Sequence, residues 1–449
     1  MSEMRGFPGR CKLVILKILF NLKRFGLCTG AALAPGACGM CSLVEKQEPF
    51  RLAEDQCLAA VNSVEQHVQQ AMPAVVNAMS SIPPAAQQLS HSGPQAGMSG
   101  KESTAYWYSR NHLPCAYASP VRHGCSLVSC AAAGMSGKES TAYWYSRAHR
   151  ALKQRWADPQ QMSREYQHVC ALDDAIQAPA GVAKSRAAAG RNRYCNVLPY
   201  DFNRVVLGDE AYINASMIRV QLPMLERPCA YIATQGPLPT TAGDFWGMVY
   251  SLKVPAIVML TNVNECGVNK CAQYFPAQVG STSLPGFKLQ VEQVVPFSPD
   301  CTLRVMRLSS TSSERSHMLC HYHFHAWPDH GTPGSSAGLR AVCRSLSTAR
   351  ESGAPVLVHC SAGIGRTGTF CAVDILLQRL DAWPGCNGGA GPERGEVEAA
   401  LNLPALVHEL RRQRMGMVQT LEQYAFVYQA IVDDLQARTK QQQQMGGSQ

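Results

Sequence analysis

The segment 355–370, PVLVHCSAGIGRTGTF, constrains the fold of this 449-residue chain more than any other stretch. Its first residues are apolar, which predicts a short buried strand, and a glycine-rich turn then leads into a helix. Cys360 and Arg366 bracket that turn with the spacing C-x5-R. Gly363 and Gly365 allow positive φ angles and a close approach of a ligand to the backbone. The segment therefore predicts a loop that is shaped around a ligand.

Such a turn presents successive backbone N–H groups beside the positive end of a helix dipole, which makes a binding site for a tetrahedral dianion. The guanidinium of Arg366 can bind two phosphate oxygens at once. The same positive field stabilises a thiolate, which is the nucleophilic form of cysteine. We therefore predict a phosphate-binding loop in which Cys360 attacks phosphorus.

The C-x5-R spacing alone is a weak signal, because residues 301–307, CTLRVMR, also have it. That stretch contains no glycine, and its alternating pattern is typical of a strand. We therefore interpret Cys301 and Arg307 as residues of a strand and not of an anion site.

Phosphoryl transfer from an ester also needs an acid that protonates the leaving oxygen. The segment 327–333, WPDHGTP, offers Asp329 on a loop that prolines and a glycine can hinge. Taken alone, an aspartate in this setting is more typical of a turn than of a catalytic acid.

Downstream of residue 150, strand-like runs alternate with helical ones. This predicts an α/β (α+β) fold with a twisted mixed central sheet flanked by helices, and with the phosphate-binding loop between a strand and a helix. Residues 384–395 are typical of a surface loop. The predicted strands cover residues 230–233, 256–260, 287–294, 302–308 and 355–358. The predicted helices cover residues 244–252, 337–351, 367–380, 403–413 and 421–435.

The chain divides into a leader over residues 1–150, a folded domain over 155–436 and a tail over 437–449. The leader contains 14 basic and 8 acidic residues and so carries +6 of the formal net charge of +9. This distribution excludes a uniformly basic nucleic-acid-binding body, and no uncharged apolar run is long enough for a polytopic membrane protein. The composition of the leader and the glutamine-rich tail predict disorder.

Residues 11–27 would form a helix with a basic stripe on an apolar body. An organelle transit peptide, a membrane-surface anchor and a nonspecific terminus all fit this pattern. The 19 cysteines are odd in number and irregular in spacing, which predicts reduced, intracellular thiols. Cys38 and Cys41 form one C-x-x-C without a second pair at zinc-binding distance, so we interpret them as part of a disordered stretch.

The sequence AGMSGKESTAYWYSR occurs at residues 96–110 and again, without a difference, at 133–147. Two copies are too few for a stacked repeat array. Identity without drift indicates a recent duplication or an error in the gene model, and not a functional tandem module.

Together, HCSAGIGRTG at 359–368 and WPDHGTP resemble the cysteine-based protein tyrosine phosphatase family, most closely its plant and green-algal cytosolic, non-receptor members. Ordered motifs extend the resemblance over about residues 160–436. It implies a hydrolase of phosphotyrosine in signal transduction, with a cysteinyl-phosphate intermediate and with neither cofactor nor metal. The further motifs are NRY at 192–194, DFNRVVL at 201–207, YINAS at 212–216, YIATQGP at 231–237, DFW at 244–246, IVMLT at 257–261, KCAQYFP at 270–276 and MVQT at 417–420.

The resemblance implies a role for each catalytic residue. Cys360 would form the thiophosphate, and Arg366 would hold its equatorial oxygens. Asp329 would protonate the leaving tyrosine and then act as base on water. Gln419 would position that water, with Gln423 one helical turn further on.

The resemblance also assigns supporting roles around the loop. Thr367 would donate a hydrogen bond to the departing sulfur, and His359 would orient the loop. Glu265 would pair with Arg366. Lys270 would approach Asp329 when the loop of residues 327–333, the acid loop, is closed. The implied substrate-binding residues of the loop and its surroundings are Ser361, Ala362, Gly363, Ile364, Gly365, Tyr194, Asn196, Gln423, Trp327, Lys270 and Glu265.

Tyr194 would line a deep slot that only a phosphotyrosine ring can span, while Trp327 would be a hinge of the acid loop. Asn196 stands where many members carry an acid, so it would accept a substrate hydrogen bond without charge. Cys195 stands where a basic residue is common, and Gly416 would leave the rim of the pocket open. A dual-specificity or phosphoinositide phosphatase would keep the Cys–Arg turn but lack Tyr194, and a non-catalytic phosphotyrosine-binding module would lack the catalytic residues.

The resemblance implies tyrosine-phosphorylated proteins as partners, with MAP kinases as the substrate class of plant-type members. We expect no nucleic acid, membrane contact only through the N-terminal segment, and a monomer. We also expect a cytoplasmic location, with organelle targeting through residues 1–44 as the alternative. The HxHxH pattern of His321, His323 and His325 is compatible with a metal site, but we interpret it as a strand that leads into the acid loop.

Overall fold

The computed structural model describes residues 137–208, 211–222, 225–313, 315–329, 331–382 and 401–446. The strands are β1 (Arg204–Val206), β2 (Tyr212–Val220), β3 (Cys229–Thr234), β4 (Ala256–Met259), β5 (Asn264–Glu265), β6 (Val268–Asn269), β7 (Gly280–Leu284), β8 (Phe287–Ser298), β9 (Cys301–Ser310), β10 (Ser316–Phe324) and β11 (Val356–His359). The α-helices are α1 (Gly137–Trp156), α2 (Pro159–Ala171), α3 (Gly181–Lys184), α4 (Ala242–Ser251), α5 (Ala337–Ser345), α6 (Ser347–Glu351), α7 (Gly365–Asp381), α8 (Leu403–Gln413) and α9 (Leu421–Gly446). Short 3-10 helices cover Leu172–Ala175, Arg186–Ala188 and Pro239–Thr241.

A nine-stranded mixed sheet forms the centre, in the order β1-β2-β3-β11-β4-β10-β9-β8-β7. Strand β11 pairs in parallel with β3 and β4, and β10 is parallel to β4, whereas the remaining pairs are antiparallel. Strands β5 and β6 form a separate hairpin. The carboxyl ends of the central parallel strands meet at one edge, which is where ligands bind in open sheets of this kind. The predicted mixed α/β class is confirmed.

Alternate residues of the central strands pack into two cores, one on each face of the sheet. Val356 and Val358 point into the larger core with helices α7, α8 and α9, and Leu357 points into the core with α4. Because both faces are covered, β11 is buried along its whole length. Helix α7 is buried over most of its residues and therefore holds the end of the phosphate-binding loop in a fixed place.

The packed body begins earlier than residue 155, the predicted start of the folded domain. Helix α1 starts at Gly137 and packs against α9, with Trp144, Ala148 and Leu152 buried at an i, i+4, i+8 spacing. This stripe includes part of the second copy of the duplicated segment, where sequence analysis predicted a poorly ordered leader. The rest of that leader, with the first copy, residues 11–27 and the C-x-x-C, lies outside the described residues.

Helix α9 continues to Gly446, so residues 437–446 are helical and not the disordered tail that their composition predicts. Tyr145 of α1 supports this extension, because Arg438 donates a hydrogen bond to its hydroxyl at 3.4 Å. The predicted helix 337–351 is divided at Leu346 into α5 and α6. The predicted loop 384–395 lies outside the described residues. In the described ranges, no helix has both the length and the apolar character that a membrane crossing requires.

Candidate active site

The loop between β11 and α7 surrounds the sulfur of Cys360. The side chain is 5% exposed, and its Sγ accepts hydrogen bonds from the backbone N of Gly363 at 3.2 Å and from Oγ1 of Thr367 at 3.3 Å. Thr367 lies in the first turn of α7, so the N-terminus of that helix lies beside the sulfur. The sulfur therefore lies among hydrogen-bond donors at the positive end of a helix.

Two glycines of the loop have close neighbours, and of these two only Gly363 also has a positive φ. Gly363 has φ +73°, and a Cβ there would lie 2.1 Å from the carbonyl oxygen of Thr234, at the end of β3. A Cβ on Gly365 would lie 3.2 Å from Oε1 of Gln419 and 2.9 Å from the amide of Gln423. Both predicted glutamines therefore lie against the start of α7, next to the loop.

Arg366 is fixed by a bidentate pair with Glu265. Its Nη1 and Nη2 donate to Oε1 and Oε2 of Glu265 at 2.7 and 2.9 Å, and they also donate to the carbonyls of Leu260 and Pro328 at 3.0 Å each. Burial alone would lower the pKa of Arg366, but the hydrogen bonds and charge of Glu265 raise it. The guanidinium is thus charged and oriented before any phosphate binds.

Glu265 is itself held at the β5–β6 hairpin. Its Oε1 accepts hydrogen bonds from Oγ1 of Thr261 at 3.0 Å and from the backbone N of Asn262 at 2.9 Å. The pair is mostly shielded from water, with side-chain exposures of 11% for Arg366 and 5% for Glu265. Such shielding strengthens the attraction between the two charges.

The acid loop places Asp329 beside the phosphate-binding loop. Its Oδ1 lies 2.9 Å from Nζ of Lys270 and 3.7 Å from Nη2 of Arg366. The hydrogen bond to Asp329 raises the pKa of Lys270. Trp327 is buried against Phe426, and its Nε1 donates to the carbonyl of Gly331 at 3.1 Å. The contact between Lys270 and Asp329 is the one that the resemblance implies for a closed acid loop.

Tyr194 forms one side of the site. Its hydroxyl is 2.8 Å from Oγ of Ser361, and that Oγ donates to the carbonyl of Lys270 at 2.9 Å. Since the serine proton is used, Tyr194 is the donor in the first contact. Cys195 and Asn196 follow Tyr194 on the same loop and are exposed to solvent.

His359 precedes the nucleophile and is fully buried. Its Nδ1 is 3.1 Å from the carbonyl oxygen of Cys360, and its Nε2 is 2.7 Å from the hydroxyl of Tyr274. A carbonyl only accepts, so Nδ1 carries the proton and Tyr274 donates to Nε2. Burial lowers the pKa of His359 to about 4, so the imidazole is neutral near pH 7.

One histidine of β10, His321, belongs to the same hydrogen-bond network. His321 Nε2 lies 2.8 Å from the Tyr274 hydroxyl, and because Tyr274 donates to His359, His321 is the donor here. His323 Nε2 donates to the carbonyl of Thr261 at 3.1 Å. In the part of the chain that the structure describes, no group of three or more His, Cys, Asp or Glu side chains is arranged to hold a metal ion.

Sequence analysis missed Arg414, which lies beneath the phosphate-binding loop and is fully buried. It donates to the carbonyls of Gly363 at 2.8 Å and Ala362 at 3.1 Å, and also to Asn214 Oδ1 at 2.8 Å. Burial lowers the pKa of Arg414 to about 10, which still leaves it charged near pH 7. Its only sequence signal is its position before the MVQT motif.

Arg193 was also missed, although it stands within the NRY motif. Its Nε donates to the carbonyl of Gly236 at 3.0 Å and its Nη2 to that of Pro237 at 2.9 Å. The backbone N of Gly236 in turn donates to the carbonyl of Ser361 at 2.9 Å. Arg193 thereby connects the Tyr194 loop to the phosphate-binding loop.

Fold and site together define a phosphatase. A family profile described as Protein-tyrosine phosphatase matches residues 188–433, which is more than half of the chain. The chain therefore belongs to the protein-tyrosine phosphatase family and is a protein tyrosine phosphatase, an enzyme that hydrolyses phosphoric monoesters.

Three curated relatives illustrate the similarity. The chain is 38% identical over 266 residues to Protein-tyrosine-phosphatase PTP1 of Arabidopsis thaliana, covering 58% of this chain and 74% of that protein. It is 38% identical over 293 residues to tyrosine-protein phosphatase non-receptor type 13 of Mus musculus, covering 63% of this chain and 11% of that protein. It is 35% identical over 271 residues to receptor-type tyrosine-protein phosphatase eta of Gallus gallus, covering 59% and 18%. The chain thus spans only a small part of the two animal relatives.

Proposed function

We propose that this chain hydrolyses phosphotyrosine in proteins in two steps, with Cys360 carrying the phosphoryl group between them. The observation that carries the proposal is that Asp329 and Gln419, from two other loops, lie beside the phosphate-binding loop. That loop itself supplies Cys360 and Arg366. The nucleophile, the oxyanion clamp, the proton donor and the water-positioning amide of a phosphoryl transfer then surround one phosphate position.

In the first step the Cys360 thiolate attacks phosphorus, and the bond to the tyrosine oxygen breaks. Arg366 and the loop amides bind the equatorial oxygens, on which negative charge is concentrated in the transition state. Because Glu265 has already oriented Arg366, this clamp needs little reorganisation. Asp329 donates its proton to the leaving phenolate.

In the second step a water molecule attacks the cysteinyl phosphate. Gln419 orients the water, and the Asp329 carboxylate accepts its proton. The bond between sulfur and phosphorus breaks, and the electron pair returns to the Cys360 sulfur. The hydrogen bonds from Thr367 and from the Gly363 amide to that sulfur stabilise it as it leaves.

Selectivity for tyrosine would follow from the depth of the slot that the resemblance to the family implies. The Tyr194 hydroxyl is hydrogen-bonded to Ser361 within the loop, so its ring would form one wall of that slot. A phosphoserine or phosphothreonine side chain is shorter than phosphotyrosine and would not extend from the rim to Cys360. At that rim, the uncharged Asn196 would accept a hydrogen bond from the substrate backbone and thereby shift peptide preference.

The proposed substrates are tyrosine-phosphorylated signalling proteins, with MAP kinases as the first class to test because of the similarity to plant members. We propose a monomer that acts in the cytoplasm, with organelle targeting through residues 1–44 as the alternative. A fluorescent protein fused to residues 1–44 tests the location: diffuse signal supports the cytoplasm, and an organellar pattern supports targeting.

Turnover of a phosphotyrosine peptide, measured beside a phosphothreonine peptide of the same sequence, tests the activity. We expect turnover of the first only. Equal rates on both peptides would overturn the tyrosine assignment in favour of a dual-specificity phosphatase. Binding of the phosphotyrosine peptide without turnover would favour a binding module.

A further inference from the structure

The loop that carries Gln419, residues 414–420 between α8 and α9, has a strained backbone. Val418 is a buried β-branched residue with φ +59°, in the left-handed region that such side chains rarely adopt. Its N–H donates to the carbonyl of Ile364 at 3.3 Å, and a Cβ on Gly368 would lie 2.3 Å from its nitrogen. Strain of this kind persists only where the surroundings over-determine the conformation, and it concentrates at functional sites.

One arginine holds the two carbonyls that precede Gln419, those of Met417 and Val418. Arg411 is 2% exposed, and it donates from Nε to Met417 at 2.9 Å and from Nη2 to Val418 at 2.7 Å. Its Nη1 is held by Asp173 at 2.7 Å. Asp173 lies in the 3-10 helix after α2, so the restraint comes from a segment that precedes the family match at residue 188.

The carbonyl of Gln419 itself is held by Tyr166 of α2. Its hydroxyl donates a short hydrogen bond to the carbonyl of Gln419, and Arg411 Nη2 donates to that hydroxyl at 3.4 Å. On the other side, the N–H of Gln419 donates to Oε1 of Gln423 at 2.9 Å. The peptide groups on both sides of Gln419 are therefore fixed by side chains, which fixes the direction in which its side chain leaves the backbone.

We propose that Tyr166 is a positioning residue for the second step, the hydrolysis of the cysteinyl phosphate. This rests on the proposed function, in which only that step uses water. Gln419 acts on the attacking water, and Tyr166 acts through Gln419. In that step the water oxygen bonds to phosphorus, the sulfur–phosphorus bond breaks toward Cys360, and a water proton moves to Asp329. The attack on phosphotyrosine does not depend on the direction of Gln419.

The test separates the two steps in Tyr166→Phe, which keeps the ring and removes only the hydroxyl. Rapid mixing with a phosphotyrosine peptide labelled with radioactive phosphate, followed by acid quenching, measures the first turnover and the trapped phosphoenzyme. We expect phosphoenzyme hydrolysis to slow by about fivefold, the effect of one lost hydrogen bond. The first-turnover rate should change by less than about twofold, so phosphoenzyme accumulates during steady turnover.

Tyr428→Phe is the matched control, because its hydroxyl donates to Glu165 at 2.8 Å and no contact joins it to the Gln419 loop among the described residues. It should match the parent enzyme in both steps. Should Tyr166→Phe fail to fold, Asp173→Asn is the second variant, because it weakens the ion pair that holds Arg411. It should slow phosphoenzyme hydrolysis by a smaller factor and leave the first-turnover rate unchanged.

Three outcomes would overturn this inference: an equal loss in both steps, no loss in either, or an equal effect of Tyr428→Phe. These leave the proposed function intact. Absence of a Cys360-dependent phosphoenzyme in the parent enzyme would instead overturn the proposed intermediate, and the inference with it.

Discussion

The chain contains two C-x5-R segments, and they have opposite properties. Cys301 and Arg307 lie along β9, where six residues of extended chain separate them by about 20 Å. Cys360 and Arg366 have the same spacing, but the glycine turn brings both to one phosphate position. The lesson is that a spacing pattern is informative only through the backbone conformation that it can adopt.

The surroundings of the two pairs differ as well. Cys301 is fully buried, and burial raises the pKa of its thiol well above the ordinary value, so it stays neutral. Arg307 pairs with Glu292 at 2.6 Å, with side-chain exposures of 41% and 27%. Arg366 and Glu265 form a comparable pair that is four to five times less exposed. Arg307 and Glu292 form a solvated ion pair at the surface, whereas Arg366 and Glu265 form a shielded ion pair that orients the guanidinium at the candidate active site.

The largest expected difference between the two segments is at the cysteines. Cys360→Ser removes the nucleophile and should lower kcat by at least about 10⁴-fold, while bound phosphotyrosine peptide is retained. Cys301→Ala should leave kcat unchanged and cost about 1 kcal/mol of unfolding free energy. Steady-state kinetics and peptide binding by calorimetry check both. Substantial turnover by Cys360→Ser would refute its role.

The arginines should differ next. Arg366→Lys keeps a positive charge but loses the two-pronged grip on phosphate and on Glu265, so kcat should fall roughly 10²- to 10³-fold. Arg307→Lys should have no measurable effect. Phosphate inhibition constants should weaken only for Arg366→Lys. Equal behaviour of the two variants would contradict the contrast.

A change to the backbone alone should come third. Gly363→Ala places a Cβ 2.1 Å from Thr234 O, so the loop must move, and kcat/KM should fall roughly 10- to 100-fold. Gly286→Ala is the control, because Gly286 also has positive φ (+78°) but has open space around its Cβ direction. Both variants should lose some thermal stability, and only Gly363→Ala should lose activity. Full activity of Gly363→Ala would show that the loop tolerates displacement.

The last difference concerns stability as a function of pH and not turnover, since a neutral histidine precedes Cys360 whereas Asp300 precedes Cys301. The folded-state pKa of His359 is about 4, below the unfolded value of 6.5. The unfolded chain therefore binds a proton first as the pH falls, so the stabilisation is present above pH 6.5 and is lost toward pH 4. The slope is up to about 1.4 kcal/mol per pH unit for this group. Urea unfolding of His359→Asn should show a shallower slope between pH 6.5 and 4, and an unchanged slope would contradict this assignment.

Local signals explain what the sequence could predict. The apolar run, the glycine turn and the helix at 355–370 specify the phosphate-binding loop because their interactions lie within a few residues. The partner of Arg366 lies 101 residues earlier, and only the resemblance to a family identified Glu265. Tyr166 is 253 residues from Gln419, and nothing in the pattern of α2 distinguishes it from a packing tyrosine.

The errors at the domain boundaries have a similar cause. Helix α1 and the last part of α9, residues 437–446, are rich in polar residues, and composition alone predicts disorder for such segments. Their order comes from a stripe that each buries against the other, such as Trp144 and Leu152, which sequence analysis did not weigh. Tertiary packing decides such cases, not propensity.

The buried position of Arg414 has a consequence for the resting enzyme. Each peptide plane that turns its carbonyl down to this guanidinium turns its N–H to the opposite side, toward the phosphate position. A permanent cation below the loop therefore maintains the amide orientation that an anion above would otherwise have to induce. The receptor for phosphate is preorganised before the ligand arrives, and binding energy need not be spent on folding it.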